Sequence, residues 1–315
     1  MQTPRRFPVA ESGSEKVAWV FPGQGSQRVG MGRELCAADA EIAALYASAD
    51  KILGVPLSEI IFAGPEDALQ ATSIQQPAIL LTSIAYLRAL RNRGLLPDAG
   101  FVAGHSLGED AAMVAAGSLD FADALRLVRR RGELMQEHGA GAMAAILGMT
   151  AEDVAAVARD AGAEVANYNA PDQTTVSGRT DAVERAIALA KERGAKRAIL
   201  LPVSGAFHSS LMAPVAEAMR PLIDGTWFRA GRAPLVADVD ARFLRDPQEL
   251  RQELIAQICG SVRWVDVVDA LAGSGVTTYY EIGPGNVLAG LIGRRAPAET
   301  VITAERLLGA AATPG

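Results

Sequence analysis

Little in this sequence permits a disulfide framework or a metal centre. Its 315 residues include only two cysteines, Cys36 and Cys259, far apart and in unlike contexts. They form neither a paired scaffold nor a ligand cluster, and read as free thiols in a reducing compartment. No window approaches the ~18 consecutive apolar residues that a membrane-spanning helix needs. The stretch 1–16 carries Pro4, Arg5, Arg6 and Pro8 but no apolar run, which argues for a loose N-terminal extension and against a secretory leader. The expected location is the cytoplasm. Positive charge is not in surplus: the formal net charge is −6, so neither nucleic acid nor an anionic membrane is expected as a partner. Repeats and low-complexity tracts are absent. Histidine is scarce, at three residues, which narrows the search for a general base.

What is present is ordinary for a globular enzyme: 50% hydrophobic and 21% charged residues, in a chain long enough for a large domain with or without a small one. A monomer is the default expectation. The most informative stretch is Gly104-His105-Ser106-Leu107-Gly108, a G-x-S-x-G pentapeptide. The apolar run 99–103 before it reads as a buried parallel strand, and the Ala-rich run from Glu109 as a helix. A serine on such a strand-to-helix turn is held exposed beside helix N-terminal N–H groups, and the flanking glycines supply the backbone freedom. A second Gly-rich loop, Gly23-Gln24-Gly25-Ser26-Gln27, follows the strand 17–21. The third glycine of a dinucleotide fingerprint is replaced by Arg28, and no Gly-Lys-Ser/Thr follows, so neither phosphate-binding motif is satisfied. A turn that brings N–H groups to a reacting oxygen fits better.

Periodicity predicts helices over 33–52, 76–93 and 121–137, with a short turn at 56–61. Between Gly141 and Leu201 the pattern becomes β-α-β-β-α-β: strands 142–147, 164–169, 173–177 and 197–201, helices 150–160 and 181–192. That is a ferredoxin-like arrangement. Thr150 and Thr180 read as helix entries. Beyond it come helices 211–222, 246–258 and 265–272, a strand-like run 234–239, a strand 277–282, a last helix, the strand 300–302 and a disordered tail. The expected fold class is α/β. A large α/β-hydrolase-like domain with a parallel sheet (17–140 and 203–308) carries an inserted small ferredoxin-like α+β subdomain (141–202), between an extension (1–16) and a tail (309–315).

A serine nucleophile needs a base within hydrogen-bond reach. His105 precedes Ser106 on the elbow and should point away, and His138 reads as a helix end. His208, in Gly205-Ala206-Phe207-His208-Ser209, is left by elimination, provided the base is a histidine. Arg129, Arg130 and Arg131 stand about 100° apart on their helix, so they cannot share one environment.

The ordered set Phe21-Pro22-Gly23-Gln24-Gly25-Ser26-Gln27, Gly104-His105-Ser106-Leu107-Gly108-Glu109, Arg131-Gly132 with Met135-Gln136, Gly205-Ala206-Phe207-His208-Ser209 with Met212, then Gln257, Val262, Trp264 and Gly283-Pro284-Gly285 resembles malonyl-CoA:acyl carrier protein transacylases and the acyltransferase domains of polyketide synthases. The resemblance runs from about Val17 to Arg295. It implies that Ser106 takes the acyl group as an ester in a ping-pong reaction, and that His208 is the base, oriented by the backbone carbonyl at Gln257. The oxyanion hole would be the N–H groups of Gln24 and Leu107, donors typically worth about 2.7–4 kcal/mol each. Arg131 would clamp the free carboxylate of malonyl, a task that suits a guanidinium fork, with Arg129 and Arg130 as surface charge. Gln76 would lie near the acyl pocket, and Asn167 and Asn169, on an inner strand of the small domain, near the pantetheine arm. Leu107 and Phe207 look like malonyl-selecting residues. The donor would be malonyl-CoA and the acceptor the phosphopantetheine of an acyl carrier protein, with no bound cofactor or metal. Three residues depart from the family pattern: Asp110 stands for an aromatic or aliphatic residue, Asp238 for asparagine and Ser261 for proline. None of them is expected to touch the nucleophile, base or clamp.

Other functions are a trans-acting polyketide synthase acyltransferase for another acyl group, a thioester hydrolase that edits carrier proteins, and a silent scaffold. Arg131 argues against editing of neutral chains, and the intact Ser106, His208, Arg131 and Gln24 argue against a scaffold.

Overall fold

The computed structural model describes residues 16–312; the extension expected over 1–16 lies, except for Lys16, outside the described residues. The chain opens with β1 (Val17–Phe21), buried along its whole length, as the centre of a parallel sheet covered on both faces must be. Then come α1 (Arg33–Ala38), α2 (Ala40–Leu53), α3 (Leu57–Ala63), α4 (Glu66–Gln70), α5 (Thr72–Asn92), β2 (Phe101–Gly104), α6 (Gly108–Ala116) and α7 (Phe121–Glu137). The next stretch comprises β3 (Ala142–Leu147), α8 (Ala151–Ala161), β4 (Glu164–Ala170), β5 (Gln173–Gly178), α9 (Thr180–Glu192) and β6 (Arg197–Leu200). The last is α10 (Ala213–Asp224), β7 (Leu235–Val236), β8 (Phe243–Leu244), α11 (Pro247–Ala256), α12 (Trp264–Gly273), β9 (Thr278–Glu281), α13 (Val287–Arg295), β10 (Thr300–Thr303) and α14 (Ala304–Ala312).

The fold is α/β. A six-stranded sheet runs β10-β9-β1-β2-β7-β8, with every neighbouring pair parallel except β7 with β8. A four-stranded antiparallel sheet, β4-β5-β3-β6, with α8 and α9 packed on it through a core of its own, makes the ferredoxin-like subdomain.

Several boundaries differ from the sequence expectation, each for a local reason. The predicted helix 33–52 is broken at Asp39, whose carboxylate accepts from the N–H groups of Glu41 and Ile42 and starts α2. Helix α5 begins four residues before Gln76 and takes Pro77 inside it. A proline at that position cannot donate to the carbonyl of Ser73; Arg129 Nη1 donates to that carbonyl instead, at 2.8 Å. Arg129 is therefore half-buried structural glue, not the surface charge expected of it. Helix α9 enters without a Thr180 side-chain cap, whereas Thr150 caps α8. The run 234–239 gives only the two-residue β7, because the chain turns back through Ala241 (φ +55°) into β8. The tail expected to be disordered from Gly309 is helical as far as Ala312; residues 313–315 lie outside the described residues. Finally, β4 is an edge strand, not an inner one. Its outer side meets Val262: Tyr168 N–H donates to the Val262 carbonyl and Val262 N–H to that of Ala166, both at 2.8 Å. The strand carrying Asn167 and Asn169 is thereby bound to the large sheet's side of the molecule.

Candidate active site

Ser106 lies between β2 and α6 with φ +51°, the left-handed region that a non-glycine residue enters at a cost. Glycines make the bend possible: a Cβ on Gly104 would overlap the backbone of Gly108, and one on Gly108 would overlap the carbonyl of Phe21. The elbow thus rests on the end of β1. Gly23 packs as closely on the carbonyl of His105, which sets Gln24 beside the elbow, while Leu107 is buried at the entry to α6.

Ser106 Oγ is 2.7 Å from His208 Nε2. On the other side of the ring, His208 Nδ1 faces two carbonyl oxygens, those of Gln257 at 2.9 Å and Gly260 at 3.0 Å. Carbonyls only accept, so Nδ1 carries the hydrogen and Nε2 offers its lone pair to the serine. Burial drives the imidazole down to a pKa of about 3, with the cation of Arg131 and then His105 adding to the effect. The imidazole is neutral at neutral pH, with its Nε2 lone pair turned toward Ser106 Oγ.

Arg131, on the inner face of α7, is 5% exposed. Gly132 lets α7 come up against the backbone of Thr72 and Ser73 at the start of α5, which brings Arg131 against Gln76. Its Nη1 donates to Gln76 Oε1 at 2.9 Å, and its Nη2 to Gln257 Oε1 at 2.9 Å and Ser106 Oγ at 3.3 Å. Two amide oxygens therefore fix the plane of the guanidinium beside the nucleophile. Burial lowers its pKa while Asp110, Glu109 and Asp238 raise it; a guanidinium keeps its charge through such a shift. Gln76 Nε2 in turn donates to Gln24 Oε1 at 3.2 Å, and Gln24 Nε2 to Gln75 Oε1 at 2.5 Å.

Ser106, His208, Arg131, Gln76, Gln257 and Gln24 thus come together, with Phe207 buried next to the histidine. Asn169 lies along the seam between the two sheets rather than at the nucleophile: its Oδ1 is 2.7 Å from His105 Nε2, so His105 does point away from Ser106. Asn167 sits beside Val262 on that seam. Gln257 does more than lend a carbonyl, since its side chain also meets Arg131, Glu109 and the Ser106 carbonyl. Sequence reasoning gave no role to Gln75, Gly260 and Glu109. Of these, Glu109 alone carried a signal, as the acid that closes the elbow motif.

The expectation that no departure touches the site is wrong. Asp238 Oδ2 accepts from the N–H of Ser106 itself at 2.6 Å. Asp110 is buried beside Arg131, at a small cavity shared with Met219 and Leu254. Burial lifts its carboxyl to a pKa of about 6 against the pull of Arg131. Only Ser261 is remote, donating to the carbonyl of Val165 at 2.6 Å. Among the described residues, no group of three or more His, Cys, Asp or Glu is placed to hold a metal ion, and no helix is long and apolar enough to cross a membrane.

Residues 18–282 match the family model described as an acyl transferase domain. Over 285 residues the chain is 46% identical to the malonyl CoA-acyl carrier protein transacylase of Bacillus subtilis, covering 88% of this chain and 89% of that one. The crystal structure of an acyl carrier protein S-malonyltransferase from Vibrio cholerae superposes with a TM-score of 0.88 at 40% identity, covering 91% of this chain and 96% of the other. A malonyl-transacylase solved in complex with its type II PKS acyl-carrier protein gives 0.89 at 36% identity, covering 93% and 99%.

Proposed function

The chain belongs to the acyl transferase family, and on that premise we propose that it moves a malonyl group from a coenzyme A thioester to the phosphopantetheine thiol of an acyl carrier protein. The observation that carries this reading is a buried guanidinium 3.3 Å from the nucleophile's oxygen, where only an acyl group with a distal anion gains from it. Relatives named for malonyl transfer, and one of them solved with its carrier protein, support the same substrate and partner.

In the first half-reaction Ser106 Oγ attacks the thioester carbonyl as His208 Nε2 takes its proton. The C–S bond breaks, the proton passes to the departing coenzyme A sulfur, and malonyl remains as an ester on Ser106. In the second, His208 takes the proton of the pantetheine thiol, whose sulfur attacks the ester, and Ser106 Oγ recovers the proton. N–H groups of Gln24 and Leu107 meet the oxyanion in both halves. Arg131 grips the malonyl carboxylate as a fork, with Gln76 and Gln257 holding it in plane. Phe207 leaves no space for a branch at the acyl C2, although one methylene discriminates by only about 1–3 kcal/mol. Asn167 and Asn169 line the path of the pantetheine arm. The small unit, taken as 141–202 between 17–140 and 203–308, forms one wall of that path, and the reaction belongs to the cytoplasm.

Incubation with malonyl-CoA and a phosphopantetheinylated carrier protein tests the reading. Malonyl-carrier protein is the expected main product. Free malonate as the main product would identify a hydrolase instead.

A further inference from the structure

The peptide groups of the nucleophile are held on both sides by side chains: Gln257, which also holds Arg131, and Asp238, which has no part in the reaction just described. The N–H of Ser106 donates to Asp238 Oδ2 at 2.6 Å, and its carbonyl accepts from Gln257 Nε2 at 2.8 Å. The N–H of Asp238 donates to Glu109 Oε1 at 2.7 Å, and Gln257 Nε2 also donates to Glu109 Oε2 at 2.6 Å. The bonds close a ring through Ser106, Asp238, Glu109 and Gln257, all of them buried. A serine at φ +51° stores backbone strain and persists only where its surroundings hold it. This ring does so, accepting at one end of the residue and donating at the other.

We infer that Asp238 is a positioning residue, fixing the Ser106 amide so that Oγ stays within reach of both His208 Nε2 and Arg131. The inference rests on the malonyl-transfer reading only for the substrate used in its test. The groups facing Asp238 are Glu253 from α11, Glu109 from α6 and Arg131 from α7. Burial, then Glu253, pushes its carboxyl well above the ordinary range, against the Ser106 N–H and Arg131. Among the described residues, its second oxygen, Oδ1, meets no hydrogen-bond partner. An asparagine would keep that acceptor and need no proton; an alanine would remove it.

Two rates are to be measured on the purified full chain: acylation of Ser106 by malonyl-CoA, and phosphonylation of Ser106 by a fluorophosphonate probe, which needs no malonyl recognition. In Asp238→Ala both are expected to fall about tenfold to a hundredfold, the scale of a small misplacement of reacting groups, with KM for malonyl-CoA changed by less than about twofold. Asp238→Asn should restore both. A folded Asp238→Ala protein reacting at the wild-type rate with both reagents would overturn the inference, as would Asp238→Asn proving as slow as Asp238→Ala. Should the alanine variant not fold, Asp238→Val, which fills the space without an acceptor, carries the same expectation. If the wild type reacts with the probe but not with malonyl-CoA, the substrate reading fails, and the Asp238 comparison is still read on the probe.

Discussion

His208→Ala is expected to lower kcat for acyl transfer by about four to six orders of magnitude, the scale seen when a serine enzyme loses its base. The imidazole is the group proposed to accept a proton from Ser106 Oγ, 2.7 Å away, and its orientation is set by two carbonyls on the opposite nitrogen. Its depressed pKa gives the wild type a second signature. An ordinary histidine, at about 6.5, would begin to switch the enzyme off below neutrality. With a pKa of about 3, His208 stays neutral, so with a donor that needs no Arg131 beside Asp110, such as acetyl-CoA, acylation should hold level from pH 8 to roughly 5. An inflection near 6.5 in the rate of acyl-enzyme formation would contradict this. The same shift has a cost in folding. Because the folded pKa lies below the unfolded one, the contribution of His208 is undiminished above about 6.5 and declines as pH falls from there toward 3. Asp110 runs the opposite way. Its pKa is raised to about 6, so its contribution is greatest below the unfolded value near 3.9 and is lost as pH rises through 6.

The second large effect is on selectivity. Arg131→Ala should slow acylation by malonyl-CoA about a hundredfold, since charge-assisted hydrogen bonds from a guanidinium are each worth roughly 1.5–3 kcal/mol. Acylation by acetyl-CoA, which has no distal carboxylate, should fall far less, so the preference for the charged donor collapses. Part of the loss on both donors comes through Gln257, which Arg131 holds at 2.9 Å and which in turn holds the Ser106 carbonyl. Arg131→Lys keeps the charge but not the fork, and should recover only a fraction of the preference. Parallel kcat/KM values for the two acyl-CoA donors report the ratio directly. An unchanged ratio in Arg131→Ala would remove the guanidinium from the account of selectivity.

Elements whose signal is local were legible in the sequence. The elbow strand and helix, the β-α-β-β-α-β pattern and the apolar β1 each follow from the composition of a few adjacent residues. His208 emerged because histidine is so scarce here. Arg131 was distinguished from Arg129 and Arg130 only by the resemblance, since periodicity shows that the three differ but not which one faces a substrate. The role of Asp238 was invisible: its partner amide lies 132 residues away, and nothing in the run around Val236 marks the turn that delivers the carboxyl there. The start of α5, with Pro77 inside it, escaped periodicity for a related reason. The Ser73 carbonyl that Pro77 leaves unmet is satisfied by a side chain 56 residues distant, so the helix expected from Gln76 starts four residues before it.

The central claim is that Ser106 takes up malonyl as an ester beside the buried cation of Arg131. Its most direct test is intact-protein and peptide mass spectrometry after brief exposure to malonyl-CoA, acetyl-CoA and methylmalonyl-CoA. The account predicts one malonyl group per chain, located on the peptide containing Ser106 and discharged by a pantetheine thiol, with little adduct from the other two donors. Equal labelling by acetyl-CoA, or malonyl found on any other residue, would contradict it.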